Sequence, residues 1–287
     1  KDCPTLREFH VRCFPFTAGD PDDATGVALA GALKHNCMLQ SFALTGGSFR
    51  NKAADAMAEA LKTNVVLQSF QCEFGELVKE TGVALGGALE ENSALKSVDL
   101  AFRACAAEAT TAFADAIKTN SKLKSLGLHL GACDAETGRA LAEAIKKNTT
   151  LQSLRFSVSA GARPISDELG VAVAEALKEN CSIQSVRMSM PLARVAVGLA
   201  LADALKMNST LRALTFYNDY AESGAVRRAV ASALEQNAMV RSLIFFDDRS
   251  PSERDELPPP EERAIAAALA RNRELHRTWY AISALRR

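Results

Sequence analysis

The chain has 287 residues, a formal net charge of zero from 34 Lys+Arg against 34 Asp+Glu, 48% hydrophobic residues and only 6% aromatic ones. This balance supplies no global basic field for phosphate backbones, which disfavours nucleic acid as a general partner, and no segment approaches the roughly twenty continuous apolar residues that span a membrane. Seven scattered cysteines (Cys3, Cys13, Cys37, Cys72, Cys105, Cys133, Cys181) do not match a secreted disulfide framework and point to a reducing intracellular compartment, cytoplasmic or organellar.

The first element, marked by Leu6, Phe9 and Val11, has strand spacing and no helix before it. The array is therefore expected to begin upstream of Lys1, with any targeting sequence out of view. A helix then a strand follow repeatedly. In the unit ending at Asn64, Met57, Ala60 and Leu61 share one helical face, and Asp55, Glu59 and Lys62 lie on or near the opposite one. After Asn64, Leu67, Phe70 and Cys72 alternate inward, as do Leu39, Phe42 and Leu44 in the unit before and Leu123, Leu126 and Leu128 two units later.

Asn36, Asn64, Asn92, Asn120, Asn148, Asn180, Asn208, Asn237 and Asn272 hold one register, mostly twenty-eight residues apart. Each is expected to end its helix by taking the left-handed conformation that Asn tolerates. Alanine recurs eight and four residues before every one of them, as at Ala56/Ala60 and Ala140/Ala144, so that packed elements approach closely. The interval widens to thirty-two residues before Asn180, around residues 159–164, and to thirty-five before Asn272, where residues 247–262 form a Pro-rich insertion loop.

Residues 1–287 thus read as a single domain of about nine strand/helix repeats after a partial N-terminal one. Parallel strands stack roughly 4.8 Å apart and packed helices roughly 8–10 Å apart, so joining both to every repeat forces curvature with the strands inside. The fold class is α/β: a solenoid, or horseshoe, with a parallel sheet on the concave face and helices on the convex face.

Alternation exposes the residues five, seven and nine positions after each Asn on the concave face. The first column is nearly all Ser, from Ser41 and Ser69 to Ser185 and Ser242. The other two show Gln71, Glu73 and Asp99, then Arg155 and Arg187, then Tyr217, Ile244, Phe246 and Trp279. Those last four are candidates for a partner site, because exposed aromatic clusters dominate interface hot spots. The competing reading is a self-cap, in which residues 281–285 or the Pro-rich loop fold over them. Arg155 and Arg187, one repeat apart, suit a clamp for a carboxylate or another anion, against an alternative as solvated charge.

Chemistry is not expected. Ser125, His129 and Asp99 coexist, but offset positions on adjacent strands place the Asp99 and His129 Cβ atoms roughly 8 Å apart, beyond direct contact on that estimate. Cys105, Cys133 and His129 fall short of the four ligands or so of a zinc site. Gly82, Gly86 and Gly87 lack the Gly-Lys-Ser/Thr of a phosphate loop. No catalytic, metal or cofactor-binding residue is assigned.

The helix-to-strand half-repeat Ala-Leu-Ala-Glu-Ala-Ile-Lys-Lys-Asn-Thr-Thr-Leu-Gln-Ser-Leu at 140–154 resembles the leucine-rich repeats of the ribonuclease-inhibitor type, and the likeness extends over essentially the whole chain. One departure is systematic. Three residues after the last strand leucine, where the family places an Asn that ties adjacent turns together, this chain has Gly47, Gly75, Arg103, Gly131, Ser159, Pro191, Asp219 and Asp248. A less rigid turn side is the expectation. The resemblance implies a non-enzymatic scaffold or a subunit of a large multi-protein complex that binds protein partners. An alternative in the same repeat type is a regulator of enzymes, either a small-GTPase activator or an inhibitor protein.

Overall fold

The computed structural model describes residues 6–12, 23–132, 135–158, 167–190, 193–217, 224–245 and 260–285. In chain order the elements are β1 (Glu8–Arg12), α1 (Asp23–His35), β2 (Ser41–Phe49), α2 (Asn51–Thr63), β3 (Ser69–Leu77), α3 (Lys79–Glu91), β4 (Ser97–Cys105), α4 (Ala107–Thr119) and β5 (Ser125–Ala132). The second half continues with α5 (Ala135–Lys147), β6 (Ser153–Val158), α6 (Asp167–Glu179), β7 (Ser185–Ser189), α7 (Val195–Met207), β8 (Ala213–Tyr217), α8 (Gly224–Gln236), β9 (Ser242–Phe245) and α9 (Pro260–Leu285). The nine strands among the described residues form one parallel sheet in sequence order. Corresponding residues of successive repeats lie side by side, so that Ser97 pairs with Ser125 and Ser125 with Ser153.

The core lies between sheet and helices. Strand residues such as Leu67, Phe70 and Cys72 are buried against helix residues such as Met57 and Leu61. Because identical positions stack, aromatic columns form: Phe9 on Phe42 at 5.7 Å and Phe42 on Phe70 at 5.8 Å between ring centroids. The small columns act as expected. Ala60, Ala88, Ala116 and Ala144 are fully buried, and a Cβ built on Gly82 would meet the Ala109 backbone of the next helix at 2.4–2.8 Å.

The recurrent Asn works differently from the sequence expectation. Asn64, Asn92, Asn120 and Asn208 are extended, with φ from −79° to −61° and ψ from 117° to 128°, and no described residue other than Gly46 has positive φ. The side chain, not a left-handed backbone, makes the turn. In Asn148, Nδ2 donates to the carbonyls of Ile117 at 2.7 Å and Asn120 at 3.0 Å in the preceding repeat, and Oδ1 accepts from the amides of Thr150 and Leu151, both at 2.8 Å. Asn64, Asn92, Asn180, Asn208 and Asn237 do the same. An asparagine ladder therefore ties adjacent turns together after all, at the helix end of the repeat.

The opposite side is tied by backbone. Gly47, Gly75, Arg103 and Gly131 lie within β2 to β5, and pairing continues past them, as in Glu76 with Ala104 and Ala104 with Ala132. Strands of eight or nine residues there give way to four or five from β7 onward. Ser159, Pro191, Asp219 and Asp248, like residues 159–164 and the loop 247–259, lie outside the described residues.

Asn272 breaks the pattern. It was expected to terminate a helix and open a strand carrying Trp279; instead α9 runs unbroken for 26 residues with Asn272 inside it. Its Nδ2 still bonds the Asn237 and Val240 carbonyls, both at 2.8 Å, while Oδ1 accepts from Arg271. The reason is local: six residues on, where other repeats bury a hydrophobic strand residue, this one has Thr278.

Asn148→Ala is expected to lower stability by about 3 kcal/mol, since it leaves buried carbonyls and amides unpaired. Asn148→Asp keeps both acceptor bonds but turns a carboxylate oxygen toward two carbonyls, and should be comparably damaging. Denaturant midpoints of the two variants check this; a neutral Asp variant would show that the donor half of the ladder contributes nothing.

Candidate functional site

The register places three outward rows across the concave sheet. The second runs through Gln71, Asp99, Gly127, Arg155, Arg187, Thr215 and Ile244. The third runs through Glu73, Ala101, His129, Ser157, Ser189 and Tyr217. The Ser row is interrupted at Ala213.

Around the middle of these rows the side chains form a connected polar cluster. His129 Nε2 lies 2.9 Å from Asp99 Oδ1, and Arg155 Nη1 donates to Asp99 Oδ2 across two strands. His129 Nδ1 is 2.5 Å from Ser157 Oγ. This corrects the expectation that Asp99 and His129 are too far apart to interact, and the hydroxyl partner is Ser157, not Ser125. Gly127 is the reason. A Cβ there would stand 2.5 Å from the Asp99 Cγ, so only a residue without one leaves room for Asp99 to lean over β5 toward β6. The clue in the sequence was a glycine in an outward column, where no turn requires it.

The Asp99 side chain is only 13% exposed. Burial raises its pKa, but the His129 hydrogen bond and the positive charges of His129 and Arg155 outweigh that and hold the carboxyl below its ordinary value. An ionised carboxylate only accepts, so Nε2 of His129 carries the proton facing it; in the neutral ring, Nδ1 then accepts from the Ser157 hydroxyl.

This linkage repeats the hydroxyl–imidazole–carboxylate connection of hydrolases, but two features oppose that chemistry. Arg155 already neutralises the carboxylate that would stabilise an imidazolium. The backbone amides around Ser157 run in the plane of the sheet toward neighbouring strands, not outward where an oxyanion would form. The adjoining cavity, about 290 Å³ and lined in part by Glu73, Arg103, His129, Ser157 and Ser189, is an open trough.

The predicted partner residues occupy several places. Arg155 and Arg187 are register neighbours but point apart: Arg155 turns to Asp99, and Arg187 lies over the Tyr217 ring, 6.0 Å from its centroid. Tyr217 on β8 and Ile244 on β9 are 36% and 47% exposed. Trp279 belongs to α9 and not to a concave strand, and Phe246 lies outside the described residues. Cys133 does too, so the paired column with Cys105 is not described; among the described residues no cluster of His, Cys, Asp and Glu could hold a metal. No helix among them is long and apolar enough to cross a membrane.

Parallel strands stacked in sequence order, convex helices and a buried ladder at each turn define a leucine-rich-repeat solenoid. No protein-family profile and no curated protein matches the chain. Among solved structures, it is similar to a Bacteroides fragilis protein, with a TM-score of 0.54 and 11% identity over 86% of this chain and 67% of that one. It is also similar to actin-binding site 2 of leiomodin-1, with a TM-score of 0.49 and 18% identity over 62% and 96% of the two chains. The tropomodulin C-terminal domain of Caenorhabditis elegans gives a TM-score of 0.40 and 13% identity over 71% and 98%. At such identities the likeness is one of fold.

Gly127→Ala is expected to push Asp99 out of its seat and return its carboxyl toward the ordinary range, read as an upward move of the Asp99 carboxyl titration by NMR. An unmoved titration would show that Asp99 does not depend on the missing Cβ. In the unmodified chain the depressed Asp99 pKa stabilises the fold above the ordinary carboxylate range, and that contribution is lost as pH falls through the folded value. Acid unfolding compared with Asp99→Asn should show a smaller loss of stability over that range in the variant.

Proposed function

We propose that the chain is a non-enzymatic scaffold of the ribonuclease-inhibitor repeat type that holds a protein partner on its concave face, within an intracellular complex. The observation that carries this reading is the pair of large side chains Tyr217 and Ile244, standing out from adjacent strands at the C-terminal end of a face whose other outward residues in the central rows are polar or small. Large side chains kept in water there contribute nothing to the core beneath and are suited to anchoring a partner. Arg187, stacked on Tyr217, extends the anchor toward the centre of the sheet. Phe246, next to Phe245 in the sequence, and Trp279, on α9, are assigned to the same anchor region as part of this proposal.

The Asp99–His129–Arg155–Ser157 cluster supplies the polar half of the surface. Its members hold one another in fixed rotamers, which lowers the ordering cost of meeting a partner.

A Tyr217→Ala/Ile244→Ser variant should fold normally by circular dichroism, because both side chains are exposed, yet recover at least tenfold less partner in affinity capture from the source cells. Equal recovery by the folded variant would refute the anchor.

A further inference from the structure

The N-terminal rim of the sheet has a charge pattern that the chain's neutrality conceals. Between each Asn and the first outward residue of the following strand, the segments 36–41, 64–69, 92–97, 120–125, 148–153, 180–185, 208–213 and 237–242 contain no Asp or Glu. The residue immediately before that outward position is Arg, Lys or Gln throughout, with Arg7, Lys96, Lys124, Arg212 and Arg241 as the cations. Backbone bonds place these residues in one line: Lys96 N donates to Gln68 O at 2.9 Å, Lys124 N to Lys96 O at 2.8 Å, and Arg241 N to Arg212 O at 2.8 Å.

Several cations on the helices are paired with acids: Lys62, Lys146 and Lys178 each meet a carboxylate within 3.3 Å. Along the rim, Arg7, Lys96, Lys124 and Arg212 are exposed and form no ion pair with any described residue. The field is felt by its neighbours. His276 on α9 has its pKa held below the ordinary imidazole value, by partial desolvation and by the positive charges of Arg241 and Arg212.

We propose that this rim is a docking track for an extended acidic segment of the protein partner, lying across the strands from β4 to β9. This rests on the protein-binding reading and names the chemistry of what is bound. From Lys96 to Arg241 there are five strand spacings, roughly 24 Å, matched by about seven residues of extended peptide. The cations meet its carboxylates, while the Gln side chains and the adjoining Ser row offer neutral donors and acceptors to its backbone. Single-stranded nucleic acid fits less well, because the rim row carries no aromatic ring on which a base could stack.

The test uses the whole chain and a fluorescein-labelled peptide of about twelve residues alternating Glu and Ser, long enough to span the track. Its anisotropy is compared with that of a Gln-Ser peptide and an oligothymidylate of similar length. The acidic peptide should bind most tightly and weaken as salt is raised to about 0.15 M. Lys96→Glu/Lys124→Glu/Arg212→Glu should weaken it at least tenfold. Lys118→Glu/Lys147→Glu/Lys206→Glu, an equal charge change on the helices, should alter it less than twofold. Lys96→Gln/Lys124→Gln provides a milder rim variant, expected to lose at least threefold, should the triple reversal fail to fold. Equal binding of the Gln-Ser peptide, tighter binding of the oligothymidylate, or equal effects of rim and helix reversals would overturn the proposal. So would undiminished partner recovery by a folded rim variant; if Tyr217→Ala/Ile244→Ser still abolished that recovery, the track would fall and the concave-face reading would stand.

Discussion

Each repeat ends its helix with carbonyls that find no amide in their own chain segment, and the next repeat's Asn answers them from inside the core. Asn148 is 2% exposed and uses all four of its hydrogen-bonding positions, two on the preceding turn and two on its own. A residue that does this in six successive or near-successive repeats fixes the translation between them as well as the turn within them. Hydrophobic burial alone would allow a repeat to slide or rotate on its neighbour, because one column of Leu, Ala and Phe resembles the next. The buried carboxamide tolerates no such slip, since each shift would strand several polar groups in an apolar interior.

That fixed translation is what lets side chains far apart in sequence cooperate. Asp99 and Arg155 are separated by 56 residues, yet they are only two strands apart in one row. The cluster they form with His129 and Ser157 needs no loop, metal or cavity to organise it. It needs rows in register and one position, Gly127, where a side chain is omitted. A repeat array thereby builds sites from its exceptions: the positions where neighbouring repeats differ meet on a surface whose geometry is set by the positions where they agree.

Much of this was legible in the sequence. The Asn register, the Ala columns and the alternation of Leu67, Phe70 and Cys72 identified the solenoid, the concave face and its outward columns. A helix-terminating Asn suggests left-handed backbone, and only the neighbouring turn reveals that its side chain has better partners. Cβ spacing alone separates Asp99 from His129, but it ignores how far a carboxylate leans when the residue beside it lacks a Cβ. Asn272 suggests a strand carrying Trp279, although Thr278 stands where that strand would need an apolar side chain. One register point does not carry a strand where the local pattern lacks its apolar residue.

Net charge is the quantity that most obscured the surface. Equal numbers of cations and carboxylates sum to zero whether they are mixed or sorted, and here the fold sorts them. Helix faces have room for both signs at neighbouring turns, and several of their lysines meet carboxylates within or between helices, as Lys146 does with Glu179 at 2.8 Å. On the rim each residue stands beside the equivalent position of the next repeat, so adjacent cations such as Lys96 and Lys124 are close neighbours. Like charges roughly 4.8 Å apart repel, and the Gln residues interspersed among Arg and Lys relieve that repulsion without introducing a carboxylate. A mixed-sign rim would have relieved it more completely; the absence of Asp and Glu from all eight segments therefore sets this edge apart from the helix faces, where several lysines meet carboxylates.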